Sequence, residues 1–136
     1  RLHPLAIEQV VWSLEHRYAG TMDVYGDVLI EPHGSVLAVL DWKSGKAIYD
    51  EALLQNAAYV QALVEMGHAK DPVWGAIVRL PKVESDPDFE VRLIAPEERA
   101  TLFEAFLSVQ RLWRWLQGQD ESRRVARAGK PAESPA

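Results

Sequence analysis

The sequence predicts an α/β fold, a central mixed β-sheet flanked by helices. Three observations carry that expectation. Strand-like runs with Val, Ile, Tyr and Trp come as a group of three and then a group of two. Each group is followed by a segment with apolar residues at helical spacing. With 136 residues and 48% hydrophobic content, the chain suits one domain with a real core.

The elements follow in order. Residues 5–12 read as a first strand, with Val10 and Val11 supplying β propensity. A polar connection over 13–17 leads to a second strand over 18–25, with a continuation past Gly26-Asp27 through Val28-Leu29-Ile30. Glu31-Pro32-His33-Gly34 has the composition of a turn. The third strand, 35–43, is apolar until Asp41, as in a buried strand whose end opens into a site. Ser44-Gly45-Lys46 breaks it. Short connections suit an antiparallel meander of these three strands.

Residues 49–66 read as a helix with an apolar stripe of Leu53, Ala57, Val60 and Val64. Asp50 and Glu51 suit the dipole of its first turn, and Gly67 is a stop signal. Such a helix permits a crossover to a fourth strand over 73–80. A polar loop containing Pro87 then leads to a fifth strand over 89–94. Pro96 fits the first turn of a second helix running to about Gln117. Its expected buried face is Leu102, Phe106, Val109, Trp113 and Leu116. The chain thus divides into a folded domain over 1–117 and a flexible polar tail over 118–136.

Composition removes several classes. There is no cysteine, which excludes disulfides, thiolate zinc sites and cysteine nucleophiles. That suits a reducing compartment, and a cytoplasmic location is expected. No apolar run is long enough to cross a bilayer, and no signal-peptide pattern is present. Because the chain begins with Arg1 rather than Met, an upstream segment, removed or part of a larger protein, is expected. The net charge of −5 argues against coating a duplex by bulk charge. It leaves a nuclease open, since catalytic carboxylates are acidic and metal ions bring positive charge. No Walker loop or dinucleotide fingerprint occurs.

The chemistry concentrates in Gly20-Thr21-Met22-Asp23, then Asp41-Trp42-Lys43, then Gln55 and Tyr59. Residues two apart in a strand share a face, so Asp41 and Lys43 point together and Trp42 points away. If Asp23 ends the neighbouring strand, its carboxylate meets that of Asp41. Two close carboxylates repel unless a proton or a cation stands between them. All-oxygen donors favour Mg²⁺ or Mn²⁺, with the Trp42 carbonyl as a third ligand. Lys43 would orient water or stabilise charge on phosphate. Gln55 and Tyr59 lie one helical turn apart and would fix the lysine, the strand end or a phosphate. A glycine inside a strand, here Gly20, marks close approach.

This ordered set resembles the PD-(D/E)XK nuclease superfamily, and most closely its RecB-like exonuclease branch. The resemblance spans roughly residues 8–67. It implies a restriction-endonuclease-like core and Mg²⁺-dependent hydrolysis of DNA phosphodiester bonds, with single strands or duplex ends as substrate. By the same resemblance Asp23 and Asp41 bind metal, Lys43 is catalytic, and Gln55 and Tyr59 form an auxiliary motif. Glu8 resembles a recurrent acid of the branch and is a further candidate ligand. A homo-oligomer, or a place in a recombination or repair complex, would also fit. Two departures stand out. Asp41 occupies a position where many members have Glu, and only Arg1-Leu2-His3-Pro4 precedes the first strand where the family usually has a helix. The competing reading is an inactive nuclease-like module for DNA binding or assembly.

Other polar and aromatic residues have plainer readings. Glu15, His16, His33 and His68 fall in turns or loops, where solvation is the default. Trp74 and Trp113 are expected to pack in the core. Arg111, Arg114, Arg123, Arg124 and Arg127 make the C-terminal end locally basic, which a solvated face explains. Ser13, Ser35 and Ser44 lack a paired His and acid in sequence context.

Overall fold

The computed structural model describes residues 2–129. All seven expected elements are present: β1 Leu2–Ser13, β2 Tyr18–Ile30, β3 Gly34–Ser44, α1 Asp50–Glu65, β4 Trp74–Leu80, β5 Glu90–Ile94 and α2 Pro96–Ala128. They build one five-stranded mixed sheet in the order β1-β2-β3-β4-β5. β1, β2 and β3 form the expected antiparallel meander. The α1 crossover makes β4 parallel to β3, and β5 returns antiparallel to β4.

The sheet buries both faces near its middle. On the α1 side, Val11, Met22, Val39, Val60, Ala62, Leu63 and Val73 form the main core. Ala52, Ile77 and Ile94 extend it, with Leu53 and Leu102 packed alongside. On the other side, Val24, Ala38, Leu40 and Ala76 cluster, with Trp74 against them as expected.

A break in the outer ladder positions one half of the site. Ile7 pairs with Val24 and Gln9 with Met22, but Glu8 between them has φ +52°, in the left-handed region. The break swaps faces on both strands. Ala6 and Val11 have opposite parity, yet both pack against the main core, and so do Met22 and Tyr25. Asp23 sits opposite Glu8 at this irregularity.

Helix α1 ends by a Schellman closure. Gly67 takes φ +77°, its N–H donates to the Val64 carbonyl, and the His68 N–H donates to the Leu63 carbonyl. The stop signal read at Gly67 is therefore used as expected.

The second helix departs from expectation. It does not stop near Gln117 but continues through Gly118 to Ala128. One glycine costs a helix only about 1 kcal/mol, and Asp120 pairs with Arg123 one turn on. The polar segment beginning at Gly118 is thus helical as far as Ala128, and residues 130–136 lie outside the described residues. No α2 residue is buried. Leu102 and Phe106 are partly covered, Phe106 meeting Tyr18 edge-on with ring centroids 5.0 Å apart. Val109, Trp113 and Leu116, expected in the core, are about half exposed. By compactness the described residues form two units, divided after Phe106.

Candidate active site

Antiparallel pairing brings the two aspartates together. The last paired residues of β2 and β3 are Val24 and Leu40, so Asp23 and Asp41 stand one step further, facing each other where the ladder ends. Asp23 no longer pairs through its backbone here. Instead its Oδ2 accepts the Trp42 N–H at 2.9 Å. In a strand, the N–H and C=O of one residue point to the same edge. The Trp42 carbonyl therefore also points toward β2, past the end of the ladder, as the expected third oxygen would. The Trp42 side chain is on the opposite face from Asp41, 43% exposed.

Asp41 is 1% exposed. Burial pushes its carboxyl above the ordinary range; a hydrogen bond from Asn56 pulls it down, the charge of Asp23 pushes it up, and Lys43 pulls it down. The interplay of these charges brings Asp23, Asp41 and Lys43 into one electrostatic neighbourhood. Tyr59 belongs to it as well. Burial, then the negative fields of Asp41 and Asp23, raise its phenol above the ordinary value.

Lys43 Nζ donates to Gln55 Oε1 at 3.0 Å. Among the described residues it makes no ion pair within 4.0 Å with either aspartate. The ammonium is thus tethered by the helix, at the edge of an open groove lined by Ser44, Tyr49, Glu51 and Gln55.

Gly20 explains how Tyr59 fits. A Cβ at Gly20 would stand 2.6 Å from Tyr59 Cε1. The close approach read from this glycine is made by the tyrosine ring of α1. The Gly-Thr-Met-Asp segment and the Gln55–Tyr59 turn are therefore one packed unit.

Sequence reasoning missed two buried polar residues. Asn56 is fully buried on α1, and its Nδ2 donates to the Val39 carbonyl at 3.1 Å and to Asp41 Oδ2 at 2.9 Å. It lies one turn after buried Ala52 on the packed face, so a polar residue on an apolar stripe was the available signal. Arg79, 1% exposed, lies on β4 beside Lys43. Its guanidinium donates to the carbonyls of Gly45, Pro87 and Asp88 and pairs with Glu90 at 3.4 Å.

Glu8 is exposed and lies across the strand break from Asp23. It does not join the aspartates in a group of three ligand atoms within 4.8 Å. The one such group among the described residues is Glu15, His16 and Glu65, at the far end of α1. Its exposed acids are bonded locally, Glu65 accepting from Ser13 Oγ at 3.0 Å. His33 meets Trp74 with the rings tilted at 48° and their centroids 4.8 Å apart.

The donors at Asp23 and Asp41 suit a hard cation. Each carboxylate spends one oxygen on an N–H donor, and buried Asp41 and half-buried Asp23 share one negative neighbourhood with no ion pair to either among the described residues. No protein-family model matches the chain, and no curated protein matches it, so no family is assigned by similarity. No helix among the described residues is long and apolar enough to cross a membrane.

Proposed function

We propose that this domain is a divalent-metal-dependent deoxyribonuclease with a restriction-endonuclease-like core of the PD-(D/E)XK kind, acting as an exonuclease or with preference for single strands. The observation that carries the reading is the buried Asp41 beside a like-charged Asp23, with Lys43 held close by Gln55 rather than neutralising either acid. A merely structural aspartate at this depth would be expected to find an ion-pair partner.

Asp23 and Asp41 would hold Mg²⁺ or Mn²⁺, with the Trp42 carbonyl beside them. When bound, the ion supplies an acidified water and offsets charge growing on the phosphate. The two carboxylates fix the site rigidly, because Asp23 is anchored to the Trp42 N–H and Asp41 to Asn56. Lys43, aimed by Gln55, would donate to the attacking water or to a phosphate oxygen. Tyr59, its phenol kept neutral, offers a hydrogen-bond donor at the same mouth. Water adds to phosphorus, one P–O bond breaks, and the departing oxygen takes a proton.

The test is cleavage of labelled single- and double-stranded DNA with Mg²⁺, Mn²⁺ or chelator. Metal-dependent cleavage lost in Lys43→Ala and Asp41→Ala is expected. Undiminished cleavage in both variants would show that these residues are not the machinery. Stable DNA binding without cleavage over any metal would favour an inactive binding module.

A further inference from the structure

We infer that Asn56 is a positioning residue that sets the orientation of Asp41 for cation binding, an inference that rests on the proposed metal site. Its amide group faces two acceptors, the Val39 carbonyl and Asp41 Oδ2, so only the NH₂ end fits there. One amide thus ties the β3 backbone to the β3 carboxylate two residues on. This restrains the rotation of the Asp41 side chain and leaves its other oxygen outside this bond. The opposite end of the amide, Oδ1, is buried without a partner among the described residues.

A purely structural position would be expected to avoid such an orphan with an apolar residue. The neighbouring strand is shaped around it. A Cβ at Gly75 would stand 2.0 Å from Asn56 Oδ1 and 3.3 Å from the Ile94 Cβ. A glycine at position 75 therefore leaves the room that the Asn56 amide occupies. The orphaned oxygen is the consequence of committing both N–H groups to β3. Removing the amide leaves Asp41 present but free to rotate, which weakens capture of a cation without removing a ligand. Partners that orient a metal ligand typically contribute about 10- to 100-fold in metal affinity.

The experiment is a Mn²⁺ titration of the full chain followed by electron paramagnetic resonance, comparing wild type with Asn56→Leu at a temperature where circular dichroism shows both folded. Mn²⁺ binding weakened about 10- to 100-fold in Asn56→Leu is expected. Unchanged affinity in Asn56→Leu, with wild type binding, overturns the role of Asn56 alone. Absence of Mn²⁺ binding in wild type overturns both this inference and the metal site beneath it. If Asn56→Leu does not fold, wild-type NMR decides instead. The Asn56 side-chain amide protons should exchange slowly and shift on addition of Mg²⁺. Resonances indifferent to saturating Mg²⁺ would contradict the assignment.

Discussion

Two buried charges on neighbouring strands are treated in opposite ways. Arg79 on β4 and Asp41 on β3 are each 1% exposed and face the same side of the sheet. Arg79 is satisfied by three carbonyls and a carboxylate, and its charge is spent on holding the β3 end and the β4–β5 connection in place. Asp41 has one amide donor and a second aspartate pushing against it. A satisfied buried charge is architecture. An unsatisfied one, beside a tethered lysine, points to something added from outside.

The largest effect expected is at the unsatisfied corner. If the proposed site holds, Asp41→Ala should lower metal-dependent cleavage by about 10³-fold or more, since it would remove a ligand and not just one charge-stabilising donor. Steady-state cleavage of a labelled oligonucleotide reads this directly. Arg79→Met should do the reverse. It removes the guanidinium that ties the Gly45, Pro87 and Asp88 carbonyls to Glu90 and should destabilise the fold by roughly 1–3 kcal/mol, as urea denaturation would register. Loss of cleavage without loss of stability in Arg79→Met would dissolve the contrast.

The next effect concerns the glycine that admits Tyr59. Gly20→Ala presses a methyl against the ring and should cost about 1–3 kcal/mol; chemical denaturation measures it. A neutral result would mean that the tyrosine moves aside freely.

The pH dependence has a defined sign. Burial raises the Asp41 carboxyl, so folding favours its protonated form more than the unfolded chain does. In chelator, its contribution to stability is fully present below the unfolded-state value and is lost as pH rises through the folded one. Asp71 and Glu98 act oppositely. Arg99 and Arg92 hold them low, so their stabilisation is present above the unfolded-state value and lost as pH falls through the folded one. Thermal unfolding of wild type and Asp41→Asn over the same pH range cancels these shared pairs. The variant should gain relative to wild type as pH rises, and Mg²⁺ should erase that gain. A difference that stays flat with pH would remove burial of a charged Asp41 from the account.

The smallest effect is expected at Leu116, which is 48% exposed. Leu116→Gln should change stability by no more than about 0.5 kcal/mol in the same denaturation experiment.

Local pattern made the strands and α1 legible, because alternation and helical spacing are properties of a few residues at a time. The shared face of Asp41 and Lys43 followed from strand geometry alone. What could not be read locally was partnership across long separations. Asn56 stood next to the recognised Gln55, yet its bond to Asp41 depends on how α1 lies on β3. Arg79 looked like an ordinary strand arginine, since its acceptors come from two separate connections. The apolar stripe of α2 was visible, but periodicity says which side is apolar and not what covers it. Val109, Trp113 and Leu116 were accordingly misread as buried. The segment from Gly118 was expected to be a flexible tail because it is polar, yet the helix formers around one glycine carry α2 on to Ala128.

The central claim is that Asp23 and Asp41 jointly capture a divalent cation. Calorimetric titration of Mn²⁺ into wild type, Asp23→Asn/Asp41→Asn and Glu15→Gln/Glu65→Gln tests it most directly. The account predicts one site in wild type, retained when Glu15 and Glu65 are replaced and abolished when the two aspartates are. Binding that survives loss of both aspartates, or vanishes with Glu15 and Glu65, would contradict it.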